Sequence, residues 1–230
     1  MKSVAILQSN YIPWKGYFDL IAAVDEFIIY DDMQYTRRDW RNRNKIKTPQ
    51  GLQWLTVPVL VKGKYNQLIK ETEIDGSAWA ENHWKTIVQN YRRSKYFDEI
   101  EEWLSPLYKT NSYTLLSSLN REFIQKICNY LSIDTKITSS SEYRLVEGKT
   151  LRLVDICKQA GATEYVSGMS AKEYLQEEIF SELEISLKWF DYQNYPEYNQ
   201  LWKGFEHGVS IVDLLFNCGK ESVSYMKFAK

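Results

Sequence analysis

The chain has 230 residues, enough to bury a sizeable apolar core in one large domain carrying a helical insertion. Its 29 basic and 30 acidic residues leave a net charge of −1, which excludes a global field drawing in nucleic acid or an anionic membrane, so phosphate recognition has to be local. Three scattered cysteines with no Cys-x-x-Cys spacing, and only two histidines, argue against a zinc site or a disulfide framework and for reduced thiols in a cytoplasmic protein.

Ser3 to Leu7 is a short branched apolar run that reads as a buried strand, and Glu26 to Tyr30 is a second one ending at Asp31-Asp32. Between them, Phe18, Ile21 and Ala22 recur with helical spacing. The unit predicts parallel strands with ligands at their carboxyl ends, which sets the segment from Gln8 to Trp14 beside the one from Asp31 to Gln34. The polar span from Thr36 to Gly51 reads as a long binding connection, followed by a strand from Gln53 to Leu60 whose Pro58 argues for a sheet edge. From Ser77 to Leu131 three apolar stripes predict helices. Strand and helix then alternate: Lys136 to Ser139, a helix through Leu151, Val154 and Cys157 stopped by Gly161, Glu164 to Ser167, a helix from Lys172 to Phe180, and Glu184 to Phe190. A helix capped at Ser210 and ended near Gly219 closes the chain. The expected fold is α/β, a Rossmann-like mostly parallel sheet with a helical insertion. Residues 1–76 form its N-terminal segment with a binding loop, 77–131 the insertion, and 132–230 the segment completing the same domain. No run is long enough to span a bilayer, so membrane insertion is not expected.

The stretch Gln8-Ser-Asn-Tyr-Ile-Pro-Trp-Lys-Gly-Tyr-Phe18 gathers Gln8, Asn10, Tyr11, Trp14 and Tyr17 at a strand-to-helix turn, where backbone N–H groups can face an anion. The alternative is a rigid turn with a tryptophan lid. Asp31 and Asp32 at a strand end can take a proton from a reacting amine, hold a hydroxyl or cap a turn, and Gln34 stands beside them. Without a visible third ligand, no metal site is assigned. Arg41, Asn42, Arg43 and Asn44 lie in a basic run where guanidiniums suit a diphosphate and amides suit hydroxyls, with a solvated loop as the other reading. Ser139, Ser140, Ser167 and Gly168 end later strands, where hydrogen bonding to substrate competes with plain turn chemistry. Lys172 follows them. No histidine stands in a triad context, so a nucleophilic serine is not supported.

Several ordered motifs coincide: Gln8 to Phe18, Asp31-Asp-Met-Gln-Tyr35, Arg41-Asn-Arg-Asn-Lys-Ile46, Trp54-Leu-Thr-Val-Pro58, Tyr165-Val-Ser-Gly168 and Leu214-Leu-Phe-Asn217. Together they resemble the WbqC-like protein family nearly end to end, with Ser9 in place of the proline often found after the glutamine. The resemblance implies a context of bacterial O-antigen, lipopolysaccharide and other surface-polysaccharide biosynthesis, and hence work on an activated sugar. Amide-decorated amino sugars are common there, so the expected reaction is acyl or aminoacyl transfer onto a nucleotide-linked amino sugar. The expected partners are that sugar nucleotide and an acyl or aminoacyl donor, with no nucleic acid and no assigned cofactor. The roles assigned to these residues are Asp31 or Asp32 as proton acceptor, Arg41 and Arg43 on phosphate, and Tyr11 or Trp14 in stacking. An ATP-dependent adenylating amide ligase and a non-catalytic binder of glycans or sugar nucleotides are the competing expectations.

Overall fold

Secondary structure in the computed structural model, which describes residues 1–110 and 112–229, follows the apolar pattern closely. Asn111, within the expected insertion, and Lys230, at the end of the last segment, lie outside the described residues. The strand Ser3–Leu7 (β1), the helix Lys15–Ala22 (α1) and the strand Glu26–Ile29 (β2) open the chain. Arg43–Thr48 (β3) and Gly51–Thr56 (β4) form an antiparallel hairpin. The helices Ala78–Tyr91 (α2), Phe97–Thr110 (α3) and Leu116–Tyr130 (α4) come next. Then follow Lys136–Ser139 (β5), Lys149–Gln159 (α5), Glu164–Gly168 (β6), Glu177–Glu182 (α6), Ser186–Phe190 (β7) and Ile211–Cys218 (α7).

Five strands form one parallel sheet in the order β5-β2-β1-β6-β7. The chain moves outwards from β1 through β2 to β5, then crosses back to lay β6 on the other side of β1. Strand order therefore reverses between β1 and β6, and in an open parallel sheet that reversal leaves a crevice outside the carboxyl ends. This is the Rossmann-like mixed α/β arrangement predicted.

Alternation along the central strands divides the core. Ala5, Phe27, Ile29 and Val166 face a layer containing α1, α2, α3, α4 and α7. Val4, Ile6, Ile28 and Tyr165 face the layer of α5 and α6. Burial on both faces explains why β1 and β2 read as continuous apolar runs rather than alternating ones.

Three expected elements differ, the first being the strand expected from Gln53 to Leu60, which runs as β4 over Gly51–Thr56 and leaves Pro58 outside it. The span from Thr36 to Gly51 is not one long connection, because β3 occupies residues 43–48 and pairs with β4 outside the main sheet. Gly51, at φ 109°, follows the tight turn that permits this pairing. The helix expected from Lys172 to Phe180 is broken: a 3-10 turn over Met169–Glu173 ends before the buried Leu175, and Gln176 is extended ahead of α6.

At the amino edge of the sheet, Glu26 is fully buried. It pairs with Lys2 at 2.7 Å and Lys136 at 3.3 Å, and accepts hydrogen bonds from Thr138 and Tyr143. Burial pushes its carboxyl up, but these donors outweigh it and hold the pKa at about 2. His83 is shifted by burial from 6.5 to about 4 and stays neutral beside Tyr11. Both groups bind protons more readily when unfolded. Stability is therefore expected to fall from pH 6.5 to about 4 through His83, and from pH 4.5 towards about 2 through Glu26. Urea unfolding across this range checks it, and Glu26→Gln should flatten only the lower part of the curve.

Candidate functional site

The β1–α1 connection carries a backbone outlier at its centre: Ile12 has φ 36°, a conformation disfavoured for a β-branched residue. Three contacts hold it there. Asn44 Nδ2 donates to the carbonyls of Tyr11 and Ile12 at 3.2 and 3.0 Å, and Ser210 Oγ donates to the Ile12 carbonyl at 2.6 Å. Ser210 also caps α7, so the start of that helix clamps the connection. Arg41 reaches across to the carbonyls of Gln8 and Ser9 and to Asn10 Oδ1.

The carboxylates after β2 are drawn into the same scaffold. Asp31 is 2 % exposed and accepts from Ser9 N at 2.8 Å, Ser9 Oγ at 2.7 Å and Ser117 Oγ. Ser117 stands in the first turn of α4, and Asn120, one turn on, donates to Ser9 Oγ and the Arg41 carbonyl. α4 is thus tied to the β1–α1 connection through buried polar contacts. Asp32 accepts from Ser140 Oγ at 2.6 Å and pairs with Lys70.

A cavity of about 520 Å3 opens at the point of strand reversal, between the ends of β1 and β6. Leu7 and Gln8 come from β1 and its exit, Tyr30 and Met33 from the exit of β2, and Ser167, Gly168 and Ser170 from β6 and the turn after it. Gly148, Lys149 and Arg152 enter from the amino end of α5, and Tyr174 and Tyr192 complete the wall. Arg152 Nε donates to the Val146 carbonyl at 2.7 Å, which anchors the base of its guanidinium. Burial raises the Tyr30 phenol, while neighbouring Arg152 opposes that shift. The wall thus combines two cations, hydroxyls, an amide and a helix amino terminus, the donor set that takes phosphate oxygens.

The residues singled out in sequence are distributed over several places. Gln8, Ser167 and Gly168 meet at the reversal-point cavity. Asn10, Trp14 and Asn44 line a second cavity of about 330 Å3 farther along the β1–α1 connection. Tyr11 is fully buried, its hydroxyl 2.9 Å from both His83 Nδ1 and the Tyr108 hydroxyl. Tyr17 donates to the Gln8 carbonyl, and Asn42 to the Val57 carbonyl. Arg43 stacks on Trp54 at 4.0 Å and donates to the Arg38 carbonyl. Gln34 donates to the Tyr65 carbonyl at the surface. Ser139 caps the turn after β5, where its Oγ accepts from Ser141 N. Lys172 lies over Trp189 at 5.2 Å.

Lys149, Arg152, Tyr30, Tyr174 and Tyr192 were not singled out in sequence. The available signal was two cations in the opening turn of a helix leading into a central strand.

Trp14 roofs the start of α1. A Cβ on Gly16 would lie 2.3 Å from its indole, so the glycine is required by close approach. Gly16→Ala is expected to destabilise by about 1–3 kcal/mol and to shift the tryptophan fluorescence, both measurable in a single urea titration.

The model of the WbqC-like protein family matches residues 8–225. The chain belongs to the WbqC-like protein family. An uncharacterised protein of Mycobacterium tuberculosis, Rv1507c, is 59 % identical over 230 residues, covering the whole of both chains. No solved structure matches. The family match takes in the whole lining of the second cavity and four of the five sheet strands, while β1 and the cavity residues Ile6 and Leu7 precede it. No helix among the described residues is long and apolar enough to cross a membrane. The three cysteines, Cys128, Cys157 and Cys218, are free and buried.

Proposed function

We propose that this WbqC-like protein is a transferase of surface-polysaccharide biosynthesis that binds a nucleotide-linked amino sugar in the reversal-point cavity and forms an amide on its amine. The observation that carries the reading is the convergence of Lys149 and Arg152 with Gln8 and Ser167 at the ends of β1 and β6. A diphosphate suits the cations, and the sugar hydroxyls suit the amide and serine. In the reaction the amine nitrogen attacks the acyl carbonyl carbon of an acyl or aminoacyl donor. A C–N bond forms, the bond to the donor's leaving group breaks, and the nitrogen gives up a proton.

Asp32 is assigned to take that proton. It lies between the cavity-lining Tyr30 and Met33, and its partner Lys70 has a side chain 40 % exposed, so solvent can take over that pairing. Asp31, committed to Ser9 and Ser117, is assigned to hold the connection. Asp32→Asn is expected to abolish product formation while leaving sugar-nucleotide affinity within about twofold of the parent. The assay is mass spectrometry over a panel of UDP-, dTDP- and GDP-linked amino sugars with acyl donors.

One observation favours a second reading. Both carboxylates already have protein partners, as they would in a protein that binds a sugar nucleotide without changing it. Tight binding with the ligand recovered unaltered across the whole panel would select this reading and overturn the transferase.

A further inference from the structure

The second cavity differs in chemistry from the first. Trp14, Trp40 and Pro13 provide flat apolar faces, and Asn10, Asn44 and His207 are the polar groups in its wall. Among the described residues no Lys, Arg, Asp or Glu lines it. The aromatic surface continues beyond the mouth. Trp40 lies 5.4 Å from Trp54 with the rings inclined by 37°, and the two indoles are 43 % and 39 % exposed. Exposed indoles placed side by side leave apolar surface in water, a feature associated with binding rather than with packing.

This platform is built rather than incidental. Trp40 is fixed by its carbonyl, which accepts from Tyr11 N at 3.1 Å. Arg43 lies over the Trp54 ring at 4.0 Å, and Lys45 lies over both Trp54 at 5.0 Å and Trp40 at 5.9 Å from the ring centres. Trp14 packs against Tyr195 and Tyr192, and Tyr192 also lines the first cavity. The two cavities therefore border one braced connection, the first at Gln8 and the second at Asn10, Pro13 and Trp14.

We propose that the aromatic cavity is a second ligand site, and that it takes a neutral pyranose ring of a glycan. The lining side chains carry no formal charge, and the cations beside them are engaged, Arg41 on Asn10 Oδ1 and Lys45 over the Trp40 and Trp54 rings, which disfavours phosphates, carboxylates and ammonium groups that would lose hydration there. A pyranose presents an apolar C–H face to an indole and equatorial hydroxyls to an amide N–H and an imidazole, which here are Asn10 Nδ2 and His207, Asn44 being committed to the Tyr11 and Ile12 carbonyls. The exposed Trp40–Trp54 ridge gives an adjoining unit a place to lie. This site stands independently of the nucleotide assignment, although the two together would bring a sugar nucleotide and a glycan to one loop.

The test titrates neutral methyl glycosides, including N-acetylated ones, into the intact protein, following tryptophan fluorescence and saturation-transfer NMR. A parallel titration uses a nucleoside diphosphate sugar. The expected result is saturable glycoside binding, weakened about tenfold by Trp40→Ala and also by His207→Ala, and unchanged by Arg152→Ala. Both substituted residues are exposed, so circular dichroism should report an unaltered fold. Glycoside binding that persists when the sugar nucleotide does not bind would sink the reversal-point reading and leave this site standing. Absence of binding by every glycoside at millimolar concentration, binding indifferent to both variants, or binding lost with Arg152→Ala would overturn the proposal.

Discussion

Arg152→Ala is expected to weaken binding of a nucleoside diphosphate sugar by about 10- to 100-fold, the range set by losing a charge-assisted, two-pronged contact. Arg152 lines the reversal-point cavity from the opening turn of a helix whose amino end already faces that space. Its Nε bond to the Val146 carbonyl immobilises the side chain before ligand arrives, so little rotamer freedom is lost on binding. Arg152→Lys keeps the charge but lacks the planar fork, and should recover only part of the affinity. Calorimetry at fixed ionic strength reads both variants. An alanine variant with parental affinity would remove phosphate from this cavity.

Asp31→Ala is expected to cost about 3 kcal/mol of stability. The carboxylate is buried and serves three donors, two from Ser9 and one from Ser117, which would be left without their charged acceptor. For a chain of this length the melting temperature should fall by about 6–12 °C. Asp31→Asn retains a carbonyl acceptor and should lose less. Hydrogen exchange should quicken in the β1–α1 connection and at the start of α4 together, because Asp31 is the pin joining them. A melting temperature within about 1 °C of the parent would show that the pin carries no energy.

The sheet was legible because β1 and β2 are short branched runs and because α1 keeps its apolar spacing. The carboxyl-edge position of Gln8, Ser167 and Gly168 followed from that topology. Half of the β3–β4 hairpin was hidden, since β4 read as a strand from Gln53 but β3 did not. Arg43, Asn44, Lys45, Lys47 and Thr48 offer one apolar neighbour, Ile46, so the strand is held by cross-strand pairing and by cations over Trp54 rather than by alternation.

The partners of the two aspartates were equally hidden, since Ser117, Ser140 and Lys70 lie 86, 108 and 38 residues away in sequence. Paired carboxylates at a strand end look alike whether they face a ligand or a neighbouring helix. Lys149 and Arg152 were overlooked for the opposite reason: they share a helix with Leu153, Val154 and Cys157, whose spacing announces a core face. Only the crossover that puts the start of α5 near the ends of β1 and β6 gives those cations a purpose.

The most direct measurement is a crystal structure with a nucleotide-linked amino sugar bound. The diphosphate is predicted to lie between Lys149 and Arg152, against the chain leaving β6 at Gly168, with the sugar amine facing Asp32. Diphosphate density seated elsewhere at full occupancy, or an empty reversal-point cavity under saturating ligand, would contradict the account.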